Sequence, residues 1–520
     1  MKKRYLIVYF LTMIISAQPS ILWLWFFWQF FPVLNLMFYI LFPFVLFVGI
    51  ILLIISSGIV AKIFLIFINI MHKPKEGVFL RSKNDKDYCY WSLRAIVRKW
   101  PTWLARQLYL PMFEILILKI LGVKCSFSDS LNEGWIDCEF IELGKNVKVG
   151  QGSLIVSNMI IQDKLILKKV IIKDNVIISA HSVVLPGTII ENNTILDVLS
   201  ATTTNQKLES NTIYRGYPAR KMQKGELLKE ESIFKDFIFE KNKFGEYNEE
   251  NLRTHSKELS VPFHFYLICG WMIIGVSFML PGFLFFVFLF GLLIPQLFSI
   301  TFSFNMLLNL KFIVLLTSTP IILISIYLLH LFFVALFTRW FYKMADERGP
   351  NQGVFDRNLD ETSKALDYYH FRSFLFKYPI FAFSRSPFPW LLNWELRFIG
   401  SNKVGRGTVF EESFFHSHIN FGKNCYLGTA AHISNHLVDG VYGEENLTFF
   451  GADIGNNCVF SLSNGAMPGL QMGDNSTVLP ICATVKYDKL GNNGIYGKFP
   501  AKKLTKEEIN KLIGGDLNGE

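Results

Sequence analysis

Four of the chain's ten histidines, His416, His418, His432 and His436, fall within 21 residues of one another. A neutral imidazole takes a proton from a hydroxyl or an amine near pH 7, the task of a general base. Asp439, three residues beyond His436, is placed to orient that ring or to meet an acceptor. Two other readings stand beside this one, a metal site and solvated histidines on a turn. Only His416 and His418 are closely spaced, and no cysteine or carboxylate ligand pattern accompanies them, so no metal is expected.

What positions these residues is a repeat of six. Phe421, Leu427 and Ile433, then Ile454, Phe460, Ala466, Met472 and Val478, are apolar, with one insertion beginning at His436. A helix repeats at 3.6 and a strand at 2, so a period of six belongs to a chain coiled around a triangular prism. Gly422-Lys423-Asn424, Gly455-Asn456-Asn457 and Gly473-Asp474-Asn475 recur at matching places. Gly, Asn and Asp tolerate the positive φ that tight corners demand. The expected fold is a hexapeptide-repeat, left-handed parallel β-helix. A coil of three such faces takes about 18 residues, so His418 and His436 should stack on neighbouring rungs about 4.8 Å apart, with His416 on the side of His418.

The pattern is written twice. Leu143, Val149, Ile155, Ile161 and Leu167 begin an earlier run, which slips by one residue and resumes at Ile172, Ile178, Val184, Ile190 and Leu196. Gly353-Val354-Phe355 repeats Gly77-Val78-Phe79, and 372–379 (RSFLFKYP) repeats 94–101 (RAIVRKWP). Aligning the copies puts His416 opposite Cys138, His418 opposite Phe140, His432 opposite Leu154 and His436 opposite Asn158. The loop after His436 is four residues longer than its counterpart. The first copy keeps the scaffold and none of these imidazoles; its own His181 reads as structural. The active site is therefore expected in the second β-helix, at the face it shares with the first. Backbone N–H groups around Gly451 and Ala452 are candidates for an oxyanion site.

The bulk composition places these prisms beside a membrane. Of 520 residues, 51% are hydrophobic and 51 are Phe, which is high for a soluble protein. The net charge of +10 follows from Lys and Arg beside apolar runs, and no nucleic-acid motif is present. Seven Cys without a CxxC pair suggest reduced thiols on a cytosolic side. The expected order is a transmembrane hairpin over 1–72, an interfacial amphipathic connector over 73–122 and a degenerate, structural β-helix over 123–222. A charged linker over 223–262, a second hairpin over 263–345, a connector over 346–400, a catalytic β-helix over 401–504 and a cap or tail over 505–520 complete it. Positive charge at both ends of the hairpins puts the β-helices on the cytoplasmic side of a plasma or inner membrane. The apolar runs carry few ionisable residues, Lys62 and His330 being the clearest, so no transport pathway is visible.

Asn435-His436-Leu437-Val438-Asp439, the stretch 454–478 (IGNNCVF…AMPGLQMGDNSTV) and Lys498-Phe499-Pro500-Ala501-Lys502 resemble the hexapeptide-repeat acyltransferases of the galactoside, maltose and serine acetyltransferase type. The resemblance implies that His436 deprotonates the acceptor, with His418 or His416 as a further contact. It also implies that a pantetheine thioester, on coenzyme A or on a carrier protein, lies along the coils. Ser461 falls in Val459-Phe460-Ser461-Leu462-Ser463, where that family has a Trp-Ile-Gly-Gly run, so the donor channel differs there. Lys498, Lys502 and Lys503 are candidate cations for the donor phosphate, as are Arg215 and Arg220 on the first copy, and solvated charge near a C-terminal cap is an equal reading of all of them. The whole-chain layout resembles the membrane-bound tandem β-helix module of poly-lysine synthetase-type nonribosomal peptide synthetases. That likeness implies amide or peptide-bond formation from a donor supplied in trans. The residues leave open an amine or a hydroxyl acceptor, coenzyme A or a carrier protein, contact with membrane lipid, a homo-oligomer, and a non-catalytic membrane scaffold.

Overall fold

The computed structural model describes residues 4–31, 36–108, 110–223, 263–303, 306, 308–350, 352–356, 364–439 and 446–513. The Pro32 connection, the charged linker beyond its first residue, the loop at 440–445 and the tail from 514 lie outside the described residues. Among the described residues, four helices are long and apolar enough to cross a membrane: α1 (Arg4–Phe30), α2 (Leu36–Met71), α5 (His264–Phe298) and α6 (Leu310–Arg348). Between them lie α3 (Lys86–Gln107) and α4 (Pro111–Leu121) in the first copy. The second copy has α7 (Lys364–Ser384) and α8 (Leu392–Ile399), and α9 (Lys506–Ile513) closes the described chain. The helices pack by small polar contacts as well as by apolar faces. Ser56 Oγ donates to Ser16 O at 2.6 Å, and Ser20 Oγ to Gly49 O at 2.8 Å.

Each copy then winds into a three-faced parallel coil. Strands two to three residues long pair with the strand one coil further on, as Ile177 with Ile195 and Thr477 with Ile495. Each offset is 18 residues, so the sixfold repeat places one apolar residue of every face inside. Ile155, Ile178, Val184, Ile190 and Leu196 are fully buried in the first prism, and Leu427, Ile433, Phe460, Ala466 and Val478 in the second. The corners are turned by Asn at positive φ: Asn424, Asn457 and Asn475 lie at φ 56° to 58°. Their side chains form a ladder in which Asn457 Nδ2 donates to Asn475 Oδ1 at 2.9 Å. The corner glycines serve a different purpose from the one their type suggests. A Cβ on Gly422 would lie 2.4 Å from Gly455 O on the next rung, so close backbone approach requires glycine there.

One part of the expected coil is not coil. Ile161 and Leu167 lie on a β-hairpin, β2 (Asn158–Ile161) and β3 (Lys164–Leu167), which leaves the prism and pairs with β1 (Gly77–Leu80). The apparent one-residue slip is this excursion, after which Val149 pairs with Ile178. The second copy repeats it with β4 (Gly353–Asp356), β5 (His436–Asp439) and β6 (Asn446–Phe449). The Gly-Val-Phe repeats are the edge strands of these small sheets.

The prisms meet along an apolar seam. Leu154, Val156, Val183 and Ala201 of the first pack with Leu462, Leu479, Ile495, Leu504, Ile509 and Ile513 of the second. Lys99 Nζ reaches Glu411 Oε2 at 3.1 Å, and Gln162 N donates to Thr477 Oγ1 at 3.0 Å, across the same boundary.

Candidate active site

The site grows from one face of the second prism. Phe414, His432 and Gly465 stand side by side on it, while Phe415, Ile433 and Ala466 point inward. His416 follows Phe415 and donates its N–H to Ile433 O. His436 opens the hairpin that leaves this face, paired with Phe449. The rings of His416 and His436 stand 4.6 Å apart at 85°, and those of His416 and His432 6.0 Å apart at 86°. Helix α7 closes over them, its Tyr369 ring 5.8 Å from His436 and 5.2 Å from His370.

Burial holds this cluster neutral. His416 is pushed down to about 3 by desolvation, reinforced by His436, His432 and Lys377. His436 is lowered by burial first, then by His432, His370 and Lys377, and His432 by burial. The tautomer of His436 follows from its neighbour. Asn435 Nδ2 donates to Ser417 O at 2.8 Å, which turns Asn435 Oδ1 toward His436 Nδ1 at 2.9 Å. An amide oxygen only accepts, so Nδ1 carries the proton and Nε2 keeps the basic lone pair.

His418 goes elsewhere. It turns a corner at φ 63°, and its Nε2 lies 3.2 Å from Asp346 Oδ1 at the end of α6. Asp346 also accepts from Arg372 Nη1 at 2.8 Å, and the Arg372 guanidinium stacks over Phe449. The ring that meets His436 is therefore that of His416, not His418, because the hairpin lifts His436 out of the 18-residue stacking register. Asp439 pairs through its backbone with Asn446; its side chain lies outside the described part.

Ser461, Lys498 and Lys502 are not brought to the imidazoles. Ser461 is 2% exposed and donates its N–H to Val478 O within the coil. Lys498 pairs with Glu508 of α9 at 2.6 Å, and Lys502 lies exposed on the last strand, opposite Gly497. Arg215 is likewise engaged, at 2.5 Å from Asp197. Ala452 N–H donates to His418 O at 3.3 Å, so this N–H is not free for an oxyanion.

Two features differ from the alignment of the copies. Asp137 N donates to Ile155 O as His416 N does to Ile433 O, so the backbone counterpart of His416 is Asp137 and not Cys138. The seam covers this first-copy position. A cavity of about 140 Å3 there is lined by Arg98, Asp137, Cys138 and Asn158, with Tyr426 and Leu462 from the second prism. The imidazoles lie on the corresponding face of the second prism, where α7 covers them and Phe414 is 56% exposed. This is not the face shared with the first prism, where the site was expected, because the seam is built on the neighbouring face that carries Thr477 and Ile495. Sequence reasoning missed Tyr369, His370 and Asn435. Comparing the copies in the connector would have found the first two, since His370 stands opposite Ser92 and Tyr369 opposite Trp91.

No protein-family model matches the sequence, and no curated protein sequence matches it. Solved structures similar to parts of it include a hexapeptide-repeat containing acetyltransferase from Vibrio cholerae O1 biovar eltor, complexed with acetyl coenzyme A. That match has 16% identity over 26% of this chain and 90% of that one, with a TM-score of 0.23. A maltose O-acetyltransferase from Clostridium difficile 630 matches at 20% identity over 21% of this chain and 74% of that one, TM-score 0.17. The N-acyltransferase AntD from Bacillus cereus, in complex with dTDP and 3-hydroxybutyryl-CoA, matches at 12% over 22% and 79%, TM-score 0.17. Each likeness covers roughly a quarter of this chain.

Proposed function

We propose that the chain is a membrane-anchored acyl- or aminoacyl-transferase, with two left-handed prisms held on the cytoplasmic side by four spans and one working site at His436. The observation that carries this reading is a half-buried imidazole with Nδ1 committed to Asn435 and Nε2 left as the basic lone pair, its pKa lowered first by burial. Burial first, then His432, His370 and the Lys377 cation, disfavour its protonation, which keeps the base free near pH 7.

The reaction balances with these groups. The acceptor hydroxyl or amine gives its proton to His436 Nε2 as its oxygen or nitrogen attacks the thioester carbonyl. The tetrahedral adduct collapses with loss of the C–S bond, and the leaving thiolate takes the proton from the imidazolium. The products are an ester or an amide and a free thiol. Coenzyme A and a carrier protein both supply such a thioester. An aminoacyl thioester on a carrier would make the product a peptide bond by the same steps. Lys502, exposed on the last strand, is a cation open to a donor phosphate. The test is His436→Gln, which keeps a polar side chain without the base. Transfer from a radiolabelled acyl thioester should fall by about 10²–10⁴; a near-normal rate removes His436 from the mechanism.

A further inference from the structure

We infer that the acceptor is a membrane-resident amphiphile bearing a phosphate beside a hydroxyl or amine, and that it reaches His436 along one face of α7. This rests on the reading of His436 as base. Helix α7 begins at the imidazoles and runs back along α6. Arg372 meets Asp346 at 2.8 Å, the Phe376 ring meets Tyr342 at 5.9 Å, and beyond the helix Phe388 meets Tyr327 at 6.1 Å. At 1.5 Å per residue, Asp346 to Tyr327 is about 28 Å of helix, leading into the apolar stretch of α6.

One stripe of α7 is open along its second half: the Phe374 ring packs 5.0 Å from that of Tyr266 on α5, and Lys377 and Phe381 lie exposed beyond it. His370, Phe374, Lys377 and Phe381 are spaced four, three and four apart, which aligns them on a single face. Phe374 is 38% and Phe381 60% exposed, and Lys377 is exposed and makes no ion pair among the described residues. The stripe is about 16 Å long, with His370 beside the imidazoles at one end. The first copy has the same helix with the stripe closed. Ile96 is 5% exposed, Lys99 is bound to Glu411, and Trp103 Nε1 donates to Arg385 O at 2.7 Å. Apolar surface is therefore more open here, at Phe381 above all, than at the matching positions of the first copy, and it adjoins helices long and apolar enough to span. Lys377 supplies a cation between the two phenylalanines, where a headgroup phosphate would lie while its hydroxyl or amine reaches Nε2. A freely soluble acceptor needs neither apolar residue.

The test separates this from the base assignment because it requires no turnover. The full-length chain carrying Phe381→p-benzoylphenylalanine is placed in phosphatidylcholine vesicles containing phosphatidylglycerol and phosphatidylethanolamine, and irradiated. Adducts at 381 should be enriched in one of the two hydroxyl- or amine-bearing lipids by about tenfold over phosphatidylcholine, as one hydrogen bond to Nε2 gives. Phosphatidylcholine carries the same phosphate but no headgroup proton to donate to that nitrogen. Lys377→Glu should lower the total lipid adduct at 381, since all three lipids carry the phosphate it would repel, and an unchanged total overturns the proposal. Trp340→p-benzoylphenylalanine, on the exposed side of α6, should give adducts in the proportions of the vesicle. Vesicle proportions at 381 as well, or no lipid adduct there, overturn the proposal whatever His436→Gln does to transfer.

Discussion

Asn158 donates from Nδ2 to Asp137 Oδ2 at 2.5 Å, across the two positions that His436 and His416 fill in the second copy. Both copies thus place a facing polar pair where the hairpin leaves the prism. In the first, Ser157 also donates to Asp137 through N at 2.9 Å and Oγ at 3.2 Å. Asp137 is a structural acceptor there, with burial raising its pKa ahead of the bonds that lower it.

Removing that acceptor should affect stability and not transfer. Asp137→Ala leaves the donors of Ser157 and Asn158 unpaired beside the seam, at a cost of about 1–3 kcal/mol. Denaturant unfolding checks the loss, and thioester turnover at a temperature where the variant is folded should match wild type. Lost turnover in a variant of normal stability would make the first copy a working site.

The coil was legible because a period of six has no helical or ordinary strand alternative, and the duplication because motifs such as RAIVRKWP and RSFLFKYP survive in both copies. The hairpins were not legible. Ile161 and Leu167 sit at sixfold steps by coincidence, and an excursion of alternating apolar residues looks like continued coil until its partner strand, Gly77–Leu80, is known. The identity of the imidazole beside His436 was lost with them, since stacking by 18 holds only while the chain stays on the prism. Asp346 and Arg372 were out of reach for another reason: their pairing, 26 residues apart, depends on how α7 packs back on the end of α6, which spacing along the chain does not specify.

Protons should destabilise the second prism. His416 has its pKa lowered in the fold to about 3 from 6.5, so the unfolded chain binds more protons between those values. Its contribution is complete above the unfolded pKa and is lost as pH falls below about 6.5. Thermal midpoints should drop from pH 7 to pH 5, and His416→Gln should drop less. Equal drops would show that this ring is not held neutral.

The Asp346–Arg372 pair ties α6 to α7. The Arg372 side chain is only 2% exposed, so Asp346→Ala leaves a buried guanidinium without its carboxylate. Asp346→Ala and Arg372→Met should each destabilise, and the double variant should fall short of their sum by about 0.5–3 kcal/mol. Additive effects would mean that the contact contributes nothing to docking α7 over the imidazoles.

The assignment of the base predicts the direction in which its titration can be moved. Asn435 accepts from His436 Nδ1 as a neutral group, while Lys377 adds a positive field; both arrangements keep Nε2 basic yet unprotonated. Asn435→Asp would put a carboxylate against Nδ1 and stabilise the imidazolium, raising its pKa. The acid limb of kcat/KM reports the free enzyme's base, so it should lie below pH 6.5 in wild type and move upward in Asn435→Asp. Lys377→Ala should move it the same way by less, because an exposed charge is screened. Asn435→Asp also loses the amide donor to Ser417 O, so its lower stability is expected and does not bear on the limb. A limb that stays fixed in both variants would mean that the group titrating in catalysis is not His436.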